Sequence, residues 1–155
     1  YILWPSESIS KDITRKKRIL SPSDYGFHNS LEDSKNMVHF LDFDYFGWDD
    51  PVKLVADFYW HPGMNLNKST KERWLKEMKL LFRTTDDNFL QRLESALPIY
   101  GLRWILIILN IYNPKVIERR MHASGGLRQN ISQIKKLQLI KADKLAAEIM
   151  KYLNK

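Results

Sequence analysis

Asp24, Asn29 and Asp42 are the residues whose types and spacing are suited to chemistry. Asn29 follows Asp24 by five positions, and Asp42 follows Asn29 by thirteen. The segment between the last two reads as a β-hairpin. A short strand, 30–32, precedes the polar turn 33–36, and an apolar strand runs from Met37 to Phe43. A hairpin folds back on itself, so its start and end lie side by side. An amide oxygen and a carboxylate placed there are hard ligands that suit Mg²⁺. Asp24, on the loop just before the hairpin, is placed to accept the proton of an attacking hydroxyl. A base and a metal that neutralises phosphate charge are what phosphoryl transfer needs. Asp44 is a second carboxylate near the metal position, on the same side as Asp42 if the strand continues. The D-x-x-x-x-N spacing alone is common, and turn hydrogen bonds are the plainer role for Asp24 and Asn29.

The rest of the chain must position these residues, and it reads as helical. The hairpin is the only β-structure the pattern predicts. Gly26 sits in an irregular stretch, 25–29. Asp50-Pro51 is a helix start, with Asp capping the free amides and Pro at the first helical position. This helix is expected to run to about Trp60 and stop before His61-Pro62-Gly63. Ser69 and Glu72 form a capping box for a helix over 70–83. Asp86 or Asp87 caps a third helix, which Pro98 kinks or divides. Residues 99–111 are apolar nearly all round and predict a buried central helix. Pro114 starts a shorter helix to about Ala123, Ser124-Gly125-Gly126 breaks it, and 127–154 forms one long helix or two. The fold class is therefore mainly α with a small β-hairpin.

Composition narrows the classes. The chain has 155 residues, 44% hydrophobic and 28% charged, which fits one ordinary globular domain. Cysteine is absent. That excludes a disulfide scaffold, a cysteine nucleophile, a thiolate zinc site and an iron–sulfur cluster. No G-x-S-x-G supports a serine nucleophile. The longest unbroken apolar run, Ile105 to Leu109, is shorter than the roughly 20 residues a spanning helix needs, and no membrane span is expected. All of the net charge of +7 lies in residues 115–155, which carry ten basic and three acidic side chains. Their spacing among apolar positions is that of an amphipathic helix with a solvated face.

Other chemistry-bearing residues have plain structural readings. His28, His39, His61 and His122 show no metal-ligand spacing, although His39 shares a strand with Asp42. Trp60, Trp74 and Trp104 are expected in the core, while Trp48 lies beside the candidate site. Asp49, Asp86 and Asp87 suit either a cationic acceptor or caps and surface.

The stretch S-P-S-D-Y-G-F-H-N, followed by F-L-D-F-D-Y-F-G-W-D-D-P, resembles the aminoglycoside phosphotransferase family. The likeness is to its choline-kinase-like branch, within the protein-kinase-like fold. That family carries H-x-D-x-x-x-x-N, then a metal-binding Asp at a strand end, then G-x-x-D-P before a helix. The resemblance implies that Asp24 is the catalytic base and that Asn29 and Asp42 hold Mg²⁺ on the phosphates of ATP. It implies structural roles for Asp50-Pro51 and Asp57. Pro22 stands where the family has its loop-supporting His. The specific motifs occupy 21–57, and the helical remainder looks like the family's C-terminal lobe.

Kinase-like enzymes hold ATP between two lobes, and the small lobe supplies a phosphate-covering loop and a strand Lys. Only 23 residues precede Asp24, and the six glycines form no G-x-G-x-x-G or P-loop. The expectation is a C-terminal lobe whose N-terminal lobe lies outside this chain, consistent with Tyr rather than Met at position 1. Residues 1–20 would then lead in from that lobe, and 21–155 would form the catalytic lobe, with loop and hairpin in 21–50 and helices in 51–155. The implied partners are ATP and a small hydroxyl-bearing substrate, in the cytoplasm, with nucleic acid not expected. A second reading is a non-catalytic helical module that binds nucleic acid or another anionic partner through Arg119, Arg120, Lys135 and Lys136. A third, given Pro22, is an inactive kinase-like relic.

Overall fold

The computed structural model describes residues 12–123 and 130–154. The chain is mainly helical, at 63%, with small two-stranded sheets. Among the described residues, four short strands come first: β1 (Ile19–Ser21), β2 (Ser30–Glu32), β3 (Val38–Phe40) and β4 (Gly47–Asp49). Five α-helices follow among them: α1 (Pro51–Trp60), α2 (Lys68–Phe82), α3 (Phe89–Leu109), α4 (Pro114–Ala123) and α5 (Ile131–Leu153). Two compact units divide between Leu97 and Pro98, inside α3.

The expected hairpin is present. β2 and β3 pair antiparallel, with Ser30 opposite Phe40 and Glu32 opposite Val38. It is not the only β-structure. β1 and β4 also pair antiparallel, with Ile19 opposite Asp49 and Ser21 opposite Gly47. The inner pair is therefore nested within the outer pair in sequence. The connections 22–29 and 41–46 each run between the same two ladders.

In the first unit the helices form where their ends are satisfied. Asp50 caps α1 by accepting the Val52 amide at 2.8 Å, with Pro51 at the first helical position. The expected Ser69 cap of α2 is replaced by Asn67. Its Oδ1 accepts the Thr70 amide at 2.9 Å and the Ser69 hydroxyl at 2.8 Å, so the helix begins two residues earlier than the capping box implied. Asp86 accepts the Asn88 amide at 3.1 Å just before α3.

The core of this unit forms around α1. Val55, Ala56, Phe58 and Trp60 are buried, as are Phe89, Leu93 and Leu97. The Trp60 indole donates to the Leu97 carbonyl at 2.7 Å, and the Trp74 indole to the Val55 carbonyl at 3.0 Å. These bonds pair the indole N–H of buried Trp60 and of half-buried Trp74. A charged cluster ties the ends together. Arg92 donates to Asp50 and, at 2.6 Å, to Asp86, which also accepts Lys17 at 2.6 Å. Burial by itself would raise the Asp86 carboxyl, but the Lys17 and Arg92 donors outweigh it and hold it below the usual carboxylate range.

In the second unit Pro98 does not divide α3, which continues to Leu109. Residues 99–111 are not buried all round: Ile99, Leu102 and Leu106 are exposed, while Ile108 and Ile111 are buried. Among the described residues of this unit, α4 and α5 are the helices that could partner it, too few to cover every side of an apolar helix. By length and composition alone, Phe89–Tyr112 is apolar enough to cross a membrane. Its first half includes Leu93 and Leu97, which belong to the buried core. α5 is one helix, capped by Asn130, with Ala142, Leu145 and Ile149 as its buried stripe. The predicted break at Ser124-Gly125-Gly126 and most of the lead-in segment lie outside the described residues.

Candidate functional site

The loop before β2 carries Asp24 and is fixed from several sides. Ser23 has a positive φ of 65°, and the Ser23 amide donates to the Ser21 hydroxyl at 3.0 Å. The Lys53 ammonium, from α1, donates to the Ser23 hydroxyl at 2.6 Å and to Asp49 at 2.7 Å. Tyr25 lies against Phe40 at 4.9 Å and Phe58 at 5.7 Å between ring centroids, which anchors the loop to hairpin and helix together. Gly26 leaves room for its neighbours. A Cβ there would meet the Met64 sulfur at 2.5 Å and the His28 ring at 2.8 Å.

Asn29 closes the loop. Its Nδ2 donates to the Asp24 carbonyl at 3.0 Å, and among the described residues no hydrogen bond engages its amide oxygen. The Asn29 carbonyl accepts the Leu41 amide at 2.8 Å, extending the inner ladder to the residue before Asp42. Asp42 is exposed and has a φ of 60°. The left-handed region costs a non-glycine residue energy, though Asp tolerates it better than most. The strand, expected to reach Phe43, already ends at Phe40, so the alternation that would align Asp44 with Asp42 does not continue.

The nesting thus puts Asp24 and Asn29 on one connection between the ladders and Asp42 on the other. The Asp42 carboxylate does not join the tightest polar cluster at the site. That cluster is Asp24, His28 and His61, with one ligand atom from each within 4.8 Å of the others. Asp24 Oδ1 pairs with His28 Nε2 at 3.0 Å and lies 3.8 Å from His61 Nε2. The two imidazoles stack at 4.0 Å with 8° between their planes. Burial, then the neighbouring His28, push the His61 ring down to about 4 against the opposing pull of Asp24. His61 is therefore neutral at physiological pH.

Sequence reading missed this pair. His28 stands four residues after Asp24, a spacing that allows contact across a short helical turn, and residues 27–29 form a 3₁₀ turn. His61 carries no local signal beyond the helix stop that it also provides.

Other carboxylates are already partnered. Asp49 is neutralised by Lys53, and Asp86 by Lys17 and Arg92. Neither is available for a cationic acceptor. Trp48 remains exposed on β4, with the Arg15 guanidinium 5.5 Å from its ring. His39 pairs with Asp33 at 3.0 Å rather than with Asp42.

Compared with protein-family models, curated proteins and solved structures, the chain matches none.

Proposed function

We propose that this chain carries the base and metal-ligand set of an ATP-dependent phosphotransferase acting on a small-molecule hydroxyl. The reading is supported by one observation: Asp24 and Asn29 lie on one connection between the two ladders and Asp42, in a left-handed conformation, on the other. Unusual backbone conformations gather at functional sites because the surrounding fold must hold them in place.

The donor set fits a hard divalent cation. Asp42 is an exposed carboxylate, and with Nδ2 held by the Asp24 carbonyl the Asn29 amide keeps its oxygen as an acceptor. Asn29 and Asp42 would hold Mg²⁺, which when bound neutralises charge on the phosphates. Asp24 orients the acceptor hydroxyl and takes its proton. That proton leaves as the acceptor oxygen bonds the terminal phosphorus and the bridging oxygen departs with ADP. The exposed apolar side chains of the strand region, among them Phe40, Phe43 and Phe46, supply a surface for an N-terminal lobe and a nucleotide. A requirement for ATP fits the cytoplasm.

The test is Mg²⁺-dependent ATP turnover by the full-length protein. Asp24→Asn and Asp42→Asn are each expected to lower kcat by at least about a hundredfold, the scale for removing such charge-organising groups. Turnover within twofold of the unaltered protein in either variant would sink the assignment.

A further inference from the structure

We propose that the stacked imidazoles of His28 and His61 are positioning residues that hold the Asp24 carboxylate with one oxygen engaged and the other open. The inference rests on Asp24 being the proposed base.

Three observations carry it. His28 Nε2 lies 3.0 Å from Asp24 Oδ1, within hydrogen-bond range, so a proton on Nε2 engages that oxygen. Both histidine contacts of Asp24 converge on Oδ1. Oδ2 is left on a side chain that is 45% exposed, where an acceptor hydroxyl can reach it. The His28 ring is itself braced. His61 stacks on it at 4.0 Å, and His61 is held by the Gly63 amide, which donates to His61 Nδ1 at 3.1 Å. That turn follows directly on α1, so the brace is anchored to the most buried helix of the first unit. At 3.8 Å, His61 is too far from Asp24 to hydrogen-bond and acts through His28.

The bond to Oδ1 restrains rotation of the carboxylate plane. A base already held in orientation is worth much to a transition state. Pro22 offers no side-chain donor at the position where the resemblance places a loop-supporting His. The brace reaches Asp24 from the opposite direction in sequence, through His28 and His61.

A metal ion is the obvious competing use for a carboxylate and two imidazoles. The geometry opposes it. The lone pair of a ring nitrogen lies in its ring plane, and lines in two near-parallel planes do not meet at one ion about 2.0–2.1 Å from each nitrogen. His61 Nδ1 also accepts the Gly63 amide. The neutral ring therefore carries its proton on Nε2, which leaves no lone pair facing Asp24.

The test has two arms. In the full-length protein, with MgATP as the probe, His28→Ala is expected to lower kcat about tenfold or more with KM for MgATP nearly unchanged. His28→Gln, which keeps an N–H donor, should recover most of that loss. His61→Phe, which keeps a ring over His28, should stay closer to the unaltered protein than His61→Ala. In an Asp24→Asn background the histidine substitutions should have no further effect. A His28→Ala kcat within twofold of the unaltered value, or equal losses with and without Asp24, would overturn the proposal.

The second arm is the imidazole ¹⁵N spectrum of this chain, which is read without turnover. His28 should show a protonated Nε2 whose signal moves on Asp24→Asn and on His61→Ala. Signals indifferent to both variants would overturn the proposal, and so would stoichiometric Zn²⁺ binding by both rings. If the unaltered protein turns over no ATP, the phosphotransferase reading fails, and the spectrum still decides whether the pair holds Asp24.

Discussion

Lys53 reaches from the first turn of α1 to the hydroxyl of Ser23, 2.6 Å away, and so ties that capped helix to the residue before Asp24. The same ammonium lies 2.7 Å from Asp49 and 3.7 Å from Asp57. One cation therefore joins loop, strand end and helix.

Lys53→Met should weaken both fold and site. It leaves the Asp49 and Asp57 carboxylates without this cation and frees Ser23. A loss of about 1–3 kcal/mol is expected for hydrogen bonds involving charged groups. Urea unfolding of the isolated chain measures it. A midpoint unchanged from the parent would show that the three-way contact contributes nothing.

Asp86→Asn should be more damaging, because Asp86 is almost wholly buried and serves two cations. Removing one member of a buried charge cluster costs about 3–5 kcal/mol; the partly exposed Lys17 and Arg92 put this case at the lower end. The pH dependence has a definite sign. Asp86 is held below its ordinary value of 3.8, so the folded chain binds fewer protons here than the unfolded one. Its stabilisation is complete above that value and is lost as pH falls below it through the folded pKa. Thermal unfolding between about pH 2 and 6 should show the parent losing this increment in acid while Asp86→Asn, lacking the carboxyl, does not.

Gly26→Ala tests the close approach behind the loop. Its new methyl would sit 2.5 Å from the Met64 sulfur and 2.8 Å from the His28 ring. Overpacking of this kind costs about 1–3 kcal/mol. The effect should appear twice, as lowered stability and as a displaced His28 imidazole signal. An unshifted His28 signal would mean that Met64 yields without disturbing the ring.

The basic C-terminal helix gives a contrasting expectation. Its lysines occupy the positions left by a buried stripe at Ala142, Leu145 and Ile149. A solvated face of this kind predicts no specific nucleic-acid affinity. Binding to duplex DNA measured across salt concentrations should be weak. Tight binding that falls steeply with salt and is lost in Lys135→Gln/Lys136→Gln would reverse the order of the two functional readings.

Much of the fold was legible in local sequence. Asp50-Pro51 marked the start of α1 and His61-Pro62-Gly63 its stop, because capping and proline geometry act over a few residues. The β2–β3 hairpin was legible for the same reason, its strands being joined by one short polar turn. Ser69 was misread as a cap because Asn67, two residues earlier, offers an equally short polar side chain, and a sequence pattern does not rank the two.

The outer ladder was not legible. Ile19–Ser21 and Gly47–Asp49 are three residues each and lie far apart in sequence, so neither shows a period nor names its partner. Their pairing is nonetheless what turns a hairpin into two connections between the same ladders. Burial was likewise decided by what packs nearby: residues 99–111 are mostly apolar, yet Leu102 and Leu106 are exposed among the described residues. The meeting of His61 with His28 and Asp24 belongs to the same class. Caps, turns and the hairpin follow from forces between near neighbours in the chain. The two-histidine brace depends on the end of α1 being carried back to a loop more than thirty residues earlier, and only the packing of the first unit does that.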